Sequence, residues 1–358
     1  MLLIRHHGVR RRFILALLGV VALAGIVAIA RLGFEWKQAL DDVDAMIVTP
    51  VVLALTPEPI LNAPAPADAL VSAASAIPTI APTAAPENDD PVNILLLGTD
   101  ARADEEISRT DAIILLHINL RTGRVSMLSF PRDLMVDAPG FGRRKINSVY
   151  LLGETRLGKG YGAALLKRTV SDLVGVPVHY FALINFDGFR KVIDLAGGIF
   201  IDVPRVIDDP FYPVDAFPGD TRTMRVRFEP GRQWMDGERA LIYARTRHAD
   251  SDFGRNQRQQ QVLLALIERV REHGLISQIN KIDDYTSALR DYVRTDLPRS
   301  EMIRLARAAT RLDLDNIQRY AIDSRMIITL GNPDTFAADP EAVREIVDRM
   351  IAGGAPAP

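Results

Sequence analysis

Four short groups of residues in this 358-residue chain combine types that do chemistry with phosphate or with metal ions. The first is Gly98-Thr99-Asp100-Ala101-Arg102, which follows an apolar run. Asp100 offers a hard anionic oxygen and Arg102 a planar fork. The P-loop pattern G-x-x-x-x-G-K-[ST] is absent, so phosphate would have to be held in another way. The second is Arg109-Thr110-Asp111. Residues i and i+2 share one face of an extended chain, so Arg109 and Asp111 are expected to point the same way. If that strand lies beside the first, Asp111 comes near Asp100. Two close carboxylates repel unless a proton or a cation lies between them. With no cysteine and no H-E-x-x-H pattern, an oxygen-only donor set suits Mg²⁺, or Mn²⁺ in its place.

The third group is Ser129-Phe130-Pro131-Arg132-Asp133, with Lys145-Ile146-Asn147 soon after. Pro131 ends a strand ladder and brings Arg132 out at the strand end. The fourth is Arg245-Thr246-Arg247, then Asp252, Arg255 and Gln259. Arg245 and Arg247 share a face if extended. Arg255 and Gln259 share a helix face near its N-terminus, an end that attracts anions. A surface ion pair accounts for any one of these groups. It accounts poorly for the arginines together, because two like charges 4 Å apart repel by about 4 kcal/mol at an effective dielectric near 20. An anion between them removes that repulsion. Of the histidines, His117 alternates with apolar neighbours and reads as an ordinary strand residue. His248 follows the arginine pair and is the weaker candidate for substrate contact. No G-x-S-x-G nucleophile elbow is present.

The rest of the chain must position these groups. Strands are expected at 92–97, 112–118, 124–130, 178–184, 199–203, 225–228, 317–322 and 325–330. Helices are expected at 161–174, 186–195, 236–244, 255–273, 284–294, 299–312 and 340–351, and a loop at 208–223. Strands and helices alternate, which places the chain in the α/β class with a mixed central sheet covered by helices, α-β-α-like. The first group then falls at a strand's C-terminal end, where α/β sheets bind ligands.

Forty-three basic and 45 acidic residues nearly cancel, and 37 of the 43 are arginine. That balance disfavours a nucleic-acid binder. The absence of cysteine excludes disulfides, thiol nucleophiles and Cys-ligated metal sites.

Residues 13–30 are uncharged and mostly apolar, and Leu32 and Phe34 can extend them past Arg31. This is enough for one N-terminal transmembrane helix, expected at 13–33. Arg5, Arg10, Arg11 and Arg12 precede it and keep residues 1–12 in the cytoplasm. The remainder is then extracytoplasmic. An uncleaved anchor is favoured over a signal peptide cut near Ala28-Ile29-Ala30. Residues 34–48 read as a frayed juxtamembrane helix. Residues 50–91 hold nine Pro and eleven Ala and read as a semi-rigid spacer. The expected divisions are therefore 1–12, 13–33, 34–91, a catalytic domain at 92–335, and a C-terminal helix and tail at 336–358.

The stretches NILLLGTDAR, RTDAIILLHI, SFPRDLMV, KINSVY, YFALINFDGF, DLAGGIFIDVP and DGERALIYARTRHADSDFGRNQRQQ, in this order, resemble the LytR-CpsA-Psr family of cell-wall glycopolymer transferases. The resemblance spans about 92–270. It implies a phosphotransferase that moves a glycopolymer with its phosphate from a polyisoprenoid pyrophosphate-linked donor to a hydroxyl of peptidoglycan or another wall glycan. Pyrophosphatase activity is an implied side reaction. Asp100 and Asp111 match the metal-site positions. Arg109, Arg132, Arg245, Arg247, Arg255 and Gln259 match positions that grip pyrophosphate. Asp252 matches the acid of the D-F-G-R segment, while Arg102 and Lys145 match recurrent basic positions. Asp111 or Asp252 would help the attacking hydroxyl as a base. Helices 161–174 and 255–273 are expected as walls of an apolar groove for the lipid tail, although ordinary core explains their side chains equally well. The alternative is a non-catalytic protein that binds polyprenyl phosphates or wall polymer.

Overall fold

The computed structural model describes residues 35–51, 86, 89–100, 108–214, 220–247, 250, 252–273, 287–309 and 311–353. The expected membrane span at 13–33 and most of the Pro/Ala stretch lie outside them. No helix among the described residues is long and apolar enough to cross a membrane.

In chain order the elements are α1 (Glu35–Met46), β1 (Val92–Thr99), β2 (Thr110–Asn119), β3 (Arg124–Ser129), β4 (Leu134–Ala138), β5 (Gly142–Lys145), α2 (Ile146–Arg156), α3 (Tyr161–Val174), β6 (Tyr180–Asn185) and α4 (Phe186–Leu195). They continue as β7 (Ile199–Val203), β8 (Ile207–Pro213), β9 (Thr223–Phe228), β10 (Gly231–Met235), α5 (Gly237–Arg245) and α6 (Asp252–His273). The chain ends with β11 (Val293–Thr295), α7 (Arg299–Ala309), β12 (Gln318–Ala321), β13 (Ile327–Leu330), β14 (Asn332–Ala338) and α8 (Pro340–Ala352).

The central sheet has the order β11-β6-β1-β2-β3-β12. β1 runs parallel to β6 and antiparallel to β2, and β3 is antiparallel to β2 and parallel to β12. Both faces are covered, which is why β1–β3 read as near-continuous apolar runs. Leu95, Leu97, Ile113, Leu115 and Leu128 pack against Val149 of α2, Leu165, Leu166 and Val170 of α3, and Val343, Ile346 and Val347 of α8. On the other face Ile94, Ile114, Leu116, Ile118 and Met127 meet Ile267 of α6, Met302 and Leu305 of α7, and Val43 of α1. This is the expected mixed sheet between helices. Of the two helices expected as groove walls, Leu165, Leu166, Val170, Val262, Leu266 and Ile267 are buried as core, because a sheet with two apolar faces must cover both, while Leu173 and Leu263 are half-buried.

Several elements differ from expectation. The stretch 208–223 is not simply a loop, since β8 pairs antiparallel with β9. The helix expected at 284–294 is replaced at its end by β11, whose Val293 and Thr295 are buried on the sheet edge beside β6. β4, β5, α2 and β14 were not foreseen. β5 reads Gly-Arg-Arg-Lys and is exposed throughout, so no apolar pattern marks it. The boundary drawn at 335/336 runs inside β14, which pairs with β4, and α8 belongs to the central core.

α1 is not frayed. Val43 and Met46 are buried in the domain's cores, and Asp42 and Asp44 pair with Arg290 and Arg299. Ile47 bridges to Thr295 of β11, and the Val48 amide donates to the Thr295 carbonyl at 2.8 Å. His117 is the strand residue expected. It is buried against Asn93, with Nδ1 2.7 Å from Asn93 Oδ1, and burial pushes its pKa down to about 4.

Candidate active site

The four groups arrive at one edge of the central sheet because of strand direction. Thr99 lies opposite Asn185 in parallel register and opposite Thr110 in antiparallel register. β3 runs antiparallel to β2, so its C-terminal end meets the start of β2. Asp100, Asp111 and Arg132 are therefore delivered to the same edge by adjacent strands.

Asp111 owes its placement to a bulge. Gly98 faces Ala112 and Thr99 faces Thr110, which leaves Asp111 as an extra residue without a partner. A bulge of this kind re-aims a side chain and breaks the two-residue periodicity. The shared face expected for Arg109 and Asp111 supposes a regular strand, which the bulge interrupts. Asp111 turns to Arg132, whose Nη1 donates to its Oδ1 at 2.9 Å. Arg109 is exposed ahead of β2, and no contact among the described residues ties it to Asp111.

Arg132 is the hub. Its Nε lies 3.6 Å from Asp133 Oδ2 and 3.6 Å from Asp252 Oδ2. Burial works against its charge, but Asp111, Asp252 and Asp133 outweigh that and hold the guanidinium above its ordinary range. Lys145 does not reach the ring's interior and pairs instead with Asp133 at 3.0 Å. Burial raises the Asp133 pKa, yet Lys145 and Arg132 together hold it below the usual carboxylate range.

α6 closes the ring. Asp252 opens the helix and takes Arg255 Nη1 at 3.2 Å. Arg255 is 3% exposed, and its Nε and Nη2 are buried without a hydrogen-bond partner. Burial lowers its pKa, and the nearby Arg132 and Arg247 add to that while Asp252 and Asp111 oppose it. Gln259, one turn on, has a buried Oε1 without a partner. Arg247 is exposed, and its backbone amide donates to Asp209 Oδ2 at 3.3 Å. Arg245 has aromatic partners. It is the last residue of α5, donates to the Tyr212 hydroxyl at 3.1 Å and lies 4.4 Å over the Phe186 ring. Asp100 follows β1, exposed, and accepts from Ser108 Oγ at 2.6 Å. Arg102 and His248 lie outside the described residues.

The structure thus gathers Asp111, Arg132, Arg247, Asp252 and Arg255, with Gln259 beside them. It sets Lys145 and Arg245 on the flanks. It adds residues to which no role was given. Asp133 stood in the third motif, next to Arg132. Asp250 and Arg258 form a clamp behind the site. Arg258 is buried, grips Asp250 with Nη1 at 2.7 Å and Nη2 at 3.0 Å, and donates Nε to the Tyr243 carbonyl at 3.1 Å. It also donates to the Thr246 carbonyl. That clamp fixes the turn carrying Arg247 and Asp252. Arg258→Ala should destabilise the fold by about 1–3 kcal/mol, because it takes the donor from the Tyr243 and Thr246 carbonyls and leaves Asp250 with Arg205 in its place. Chemical denaturation measures this, and a loss below about 1 kcal/mol would show that the clamp is not under load.

The acids fit a hard divalent ion. Mg²⁺ is held by one or two carboxylates together with water and substrate phosphate, not by an all-protein cage. Asp100 and Asp111 come from adjacent strand ends and supply two oxygen donors. Among the described residues no three acidic or histidine side chains gather as a cage.

Chemically, such a gathering of guanidiniums and carboxylates is able to hold a multiply charged anion with proton acceptors beside it. Residues 67–352 match the LytR_cpsA_psr family. A protein of Oceanobacillus iheyensis, named polyisoprenyl-teichoic acid–peptidoglycan teichoic acid transferase TagU, is 37% identical over 210 residues, 58% of this chain and 59% of its own length. The crystal structure of TagV from B. subtilis is similar with a TM-score of 0.56 at 29% identity, covering 75% of this chain and 99% of that one. A structure of TagT bound to LIIa-WTA is similar with a TM-score of 0.54 at 25% identity, covering 74% of this chain and 92% of that one.

Proposed function

The chain belongs to the LytR-CpsA-Psr family, and from that premise we propose that it is a glycopolymer phosphotransferase. It passes a phosphate-bearing polymer from a polyisoprenoid pyrophosphate-linked donor to a hydroxyl of peptidoglycan or another wall glycan. The observation that carries the reading is Arg255. Its buried guanidinium has two nitrogens without a partner, and it stands beside Arg132 and Arg247. An anionic ligand with several acceptor oxygens supplies the partners and the opposite charge such a group lacks.

In this mechanism Arg247 and Arg255 bind the diphosphate, with Arg132 held in reach by Asp111, Asp133 and Asp252. The forks are preorganised for charge that builds on the leaving lipid phosphate, which is the larger part of phosphoryl-transfer catalysis. Asp252 and Asp111 are the carboxylates placed to take the proton of the attacking hydroxyl. Mg²⁺ or Mn²⁺ on Asp100 and Asp111 would supply further charge stabilisation. The protein works in the membrane's outer aspect, with residues 1–12 cytoplasmic, 13–33 as the anchor, and the chain from 34 onward outside.

Transfer should be measured with the full chain in detergent, a polyprenyl-diphosphate-linked glycan and a glycan acceptor, with and without Mg²⁺. The expected result is Mg²⁺-stimulated transfer, abolished in Arg247→Ala and in Asp100→Ala while circular dichroism stays unchanged. Donor binding with neither transfer nor phosphate release in both conditions would make the protein a binder.

A further inference from the structure

Asn256 follows Arg255 on α6 and is 2% exposed, yet its Nδ2 has no hydrogen-bond partner. Folded proteins rarely leave a buried amide donor unpaired, because it gives up its water and gains nothing. Asp252, Arg255, Asn256 and Gln259 follow the i, i+3, i+4, i+7 spacing of one helix face. On that face Arg255 Nε and Nη2 and Gln259 Oε1 are also buried without partners. Neighbouring polar groups of α6 behave differently. Gln260, equally buried, gives Nε2 to Ser129 Oγ at 2.7 Å and to the Tyr320 carbonyl at 2.8 Å. Arg258 is satisfied by Asp250 and two carbonyls. In the first two turns of this helix the orphaned atoms belong to Arg255, Asn256 and Gln259, while Arg269 Nε is a separate one near its far end.

We propose that Asn256 is a further ligand of the diphosphate, with Nδ2 donating to a non-bridging phosphoryl oxygen beside Arg255 Nε and Nη2. This rests on the diphosphate reading of the site. A neutral donor has a physical advantage here. Arg132, Arg247 and Arg255 already repel one another, and an amide satisfies another phosphoryl oxygen without adding a further positive charge.

The test is titration calorimetry of farnesyl diphosphate, with Mg²⁺, into the full chain in detergent, alongside the ligand-free melting temperature. Asn256→Leu should weaken binding by about tenfold or more, the effect of losing one hydrogen bond to a charged group. Its ligand-free melting temperature should equal or exceed that of the wild type, because an unpaired donor has been removed. Asn256→Asp, nearly the same shape, should weaken binding further by setting a carboxylate against phosphate. A lowered melting temperature with unchanged affinity in Asn256→Leu would make Asn256 a structural residue and overturn the proposal. Should Asn256→Leu fail to fold, wild-type affinity in Asn256→Asp would overturn it equally. Absence of binding in the wild type itself would remove the diphosphate reading and this proposal with it.

Discussion

Arg255→Met should lower kcat/KM for transfer by about 10²–10³-fold, the usual loss for one preorganised donor at developing charge, while leaving the melting temperature unchanged or higher. The two halves have one cause. Arg255 is almost fully buried, and it pairs with Asp252 at 3.2 Å. Burial and two neighbouring arginines push its pKa down, so the protein holds this charge against resistance. Replacing a buried ion by an apolar side chain of similar length is often neutral, or stabilising by about 1–4 kcal/mol. Asp252 is not stranded, because Arg132 Nε stays at 3.6 Å and the carboxylate is 24% exposed. Arg255→Lys should restore little, since an ammonium on a flexible stem cannot offer two parallel donors. Steady-state kinetics with thermal melts checks this. A fall of several degrees in melting temperature, or a near-wild-type rate, would mean that Arg255 is a strut.

Arg132→Ala should show the opposite balance. It should lose activity by about 10²–10³-fold and also lose about 1–3 kcal/mol of stability at neutral pH, a value below that of a fully buried pair because the side chains are partly exposed. Arg132 is the cation shared by Asp111, Asp133 and Asp252. Without it three carboxylates face one another. The sign of the pH effect follows. In the wild type the Asp133 pKa is held below its ordinary value, so the stability it contributes is present above the unfolded value near 3.9 and is lost as pH falls through the folded value. In Arg132→Ala the repelling carboxylates bind protons more readily when folded, so acidification from pH 7 to pH 5 should narrow the gap to the wild type. Urea unfolding at several pH values measures this. Parallel stability profiles would show that the carboxylates are not coupled through Arg132.

Much of the fold was legible because the central strands are apolar on both faces. β1, β2, β3, α3 and α4 lie where periodicity and glycine punctuation put them. The site was legible as a set of charges, and less so as a set of pairs. Spacing tells which face a residue takes in a regular strand, and the bulge at Asp111 leaves no mark in the local sequence. The partners of Arg245, Tyr212 and Phe186, are likewise set by tertiary structure. Asp133, Asp250 and Arg258 find their roles only through tertiary pairing. Asn256 looks like any polar helix residue until its burial is known. β5 escaped notice because its four residues are exposed and show no apolar pattern, their place being set by backbone pairing with β4 and by charged contacts such as Lys145 with Asp133.

The docking of α1 changes what the Pro/Ala stretch does. The chain leaves β11's edge at Val48, and by Val92 it has returned to the same sheet. Both ends of that stretch are therefore fixed to one sheet. Doubling the length of chain between two fixed ends shifts closure entropy by only about 0.6 kcal/mol, and it does not move the sheet relative to Glu35. That offset is set by the helix itself, so insertions just ahead of residue 35 would shift the domain, and insertions among the prolines would not.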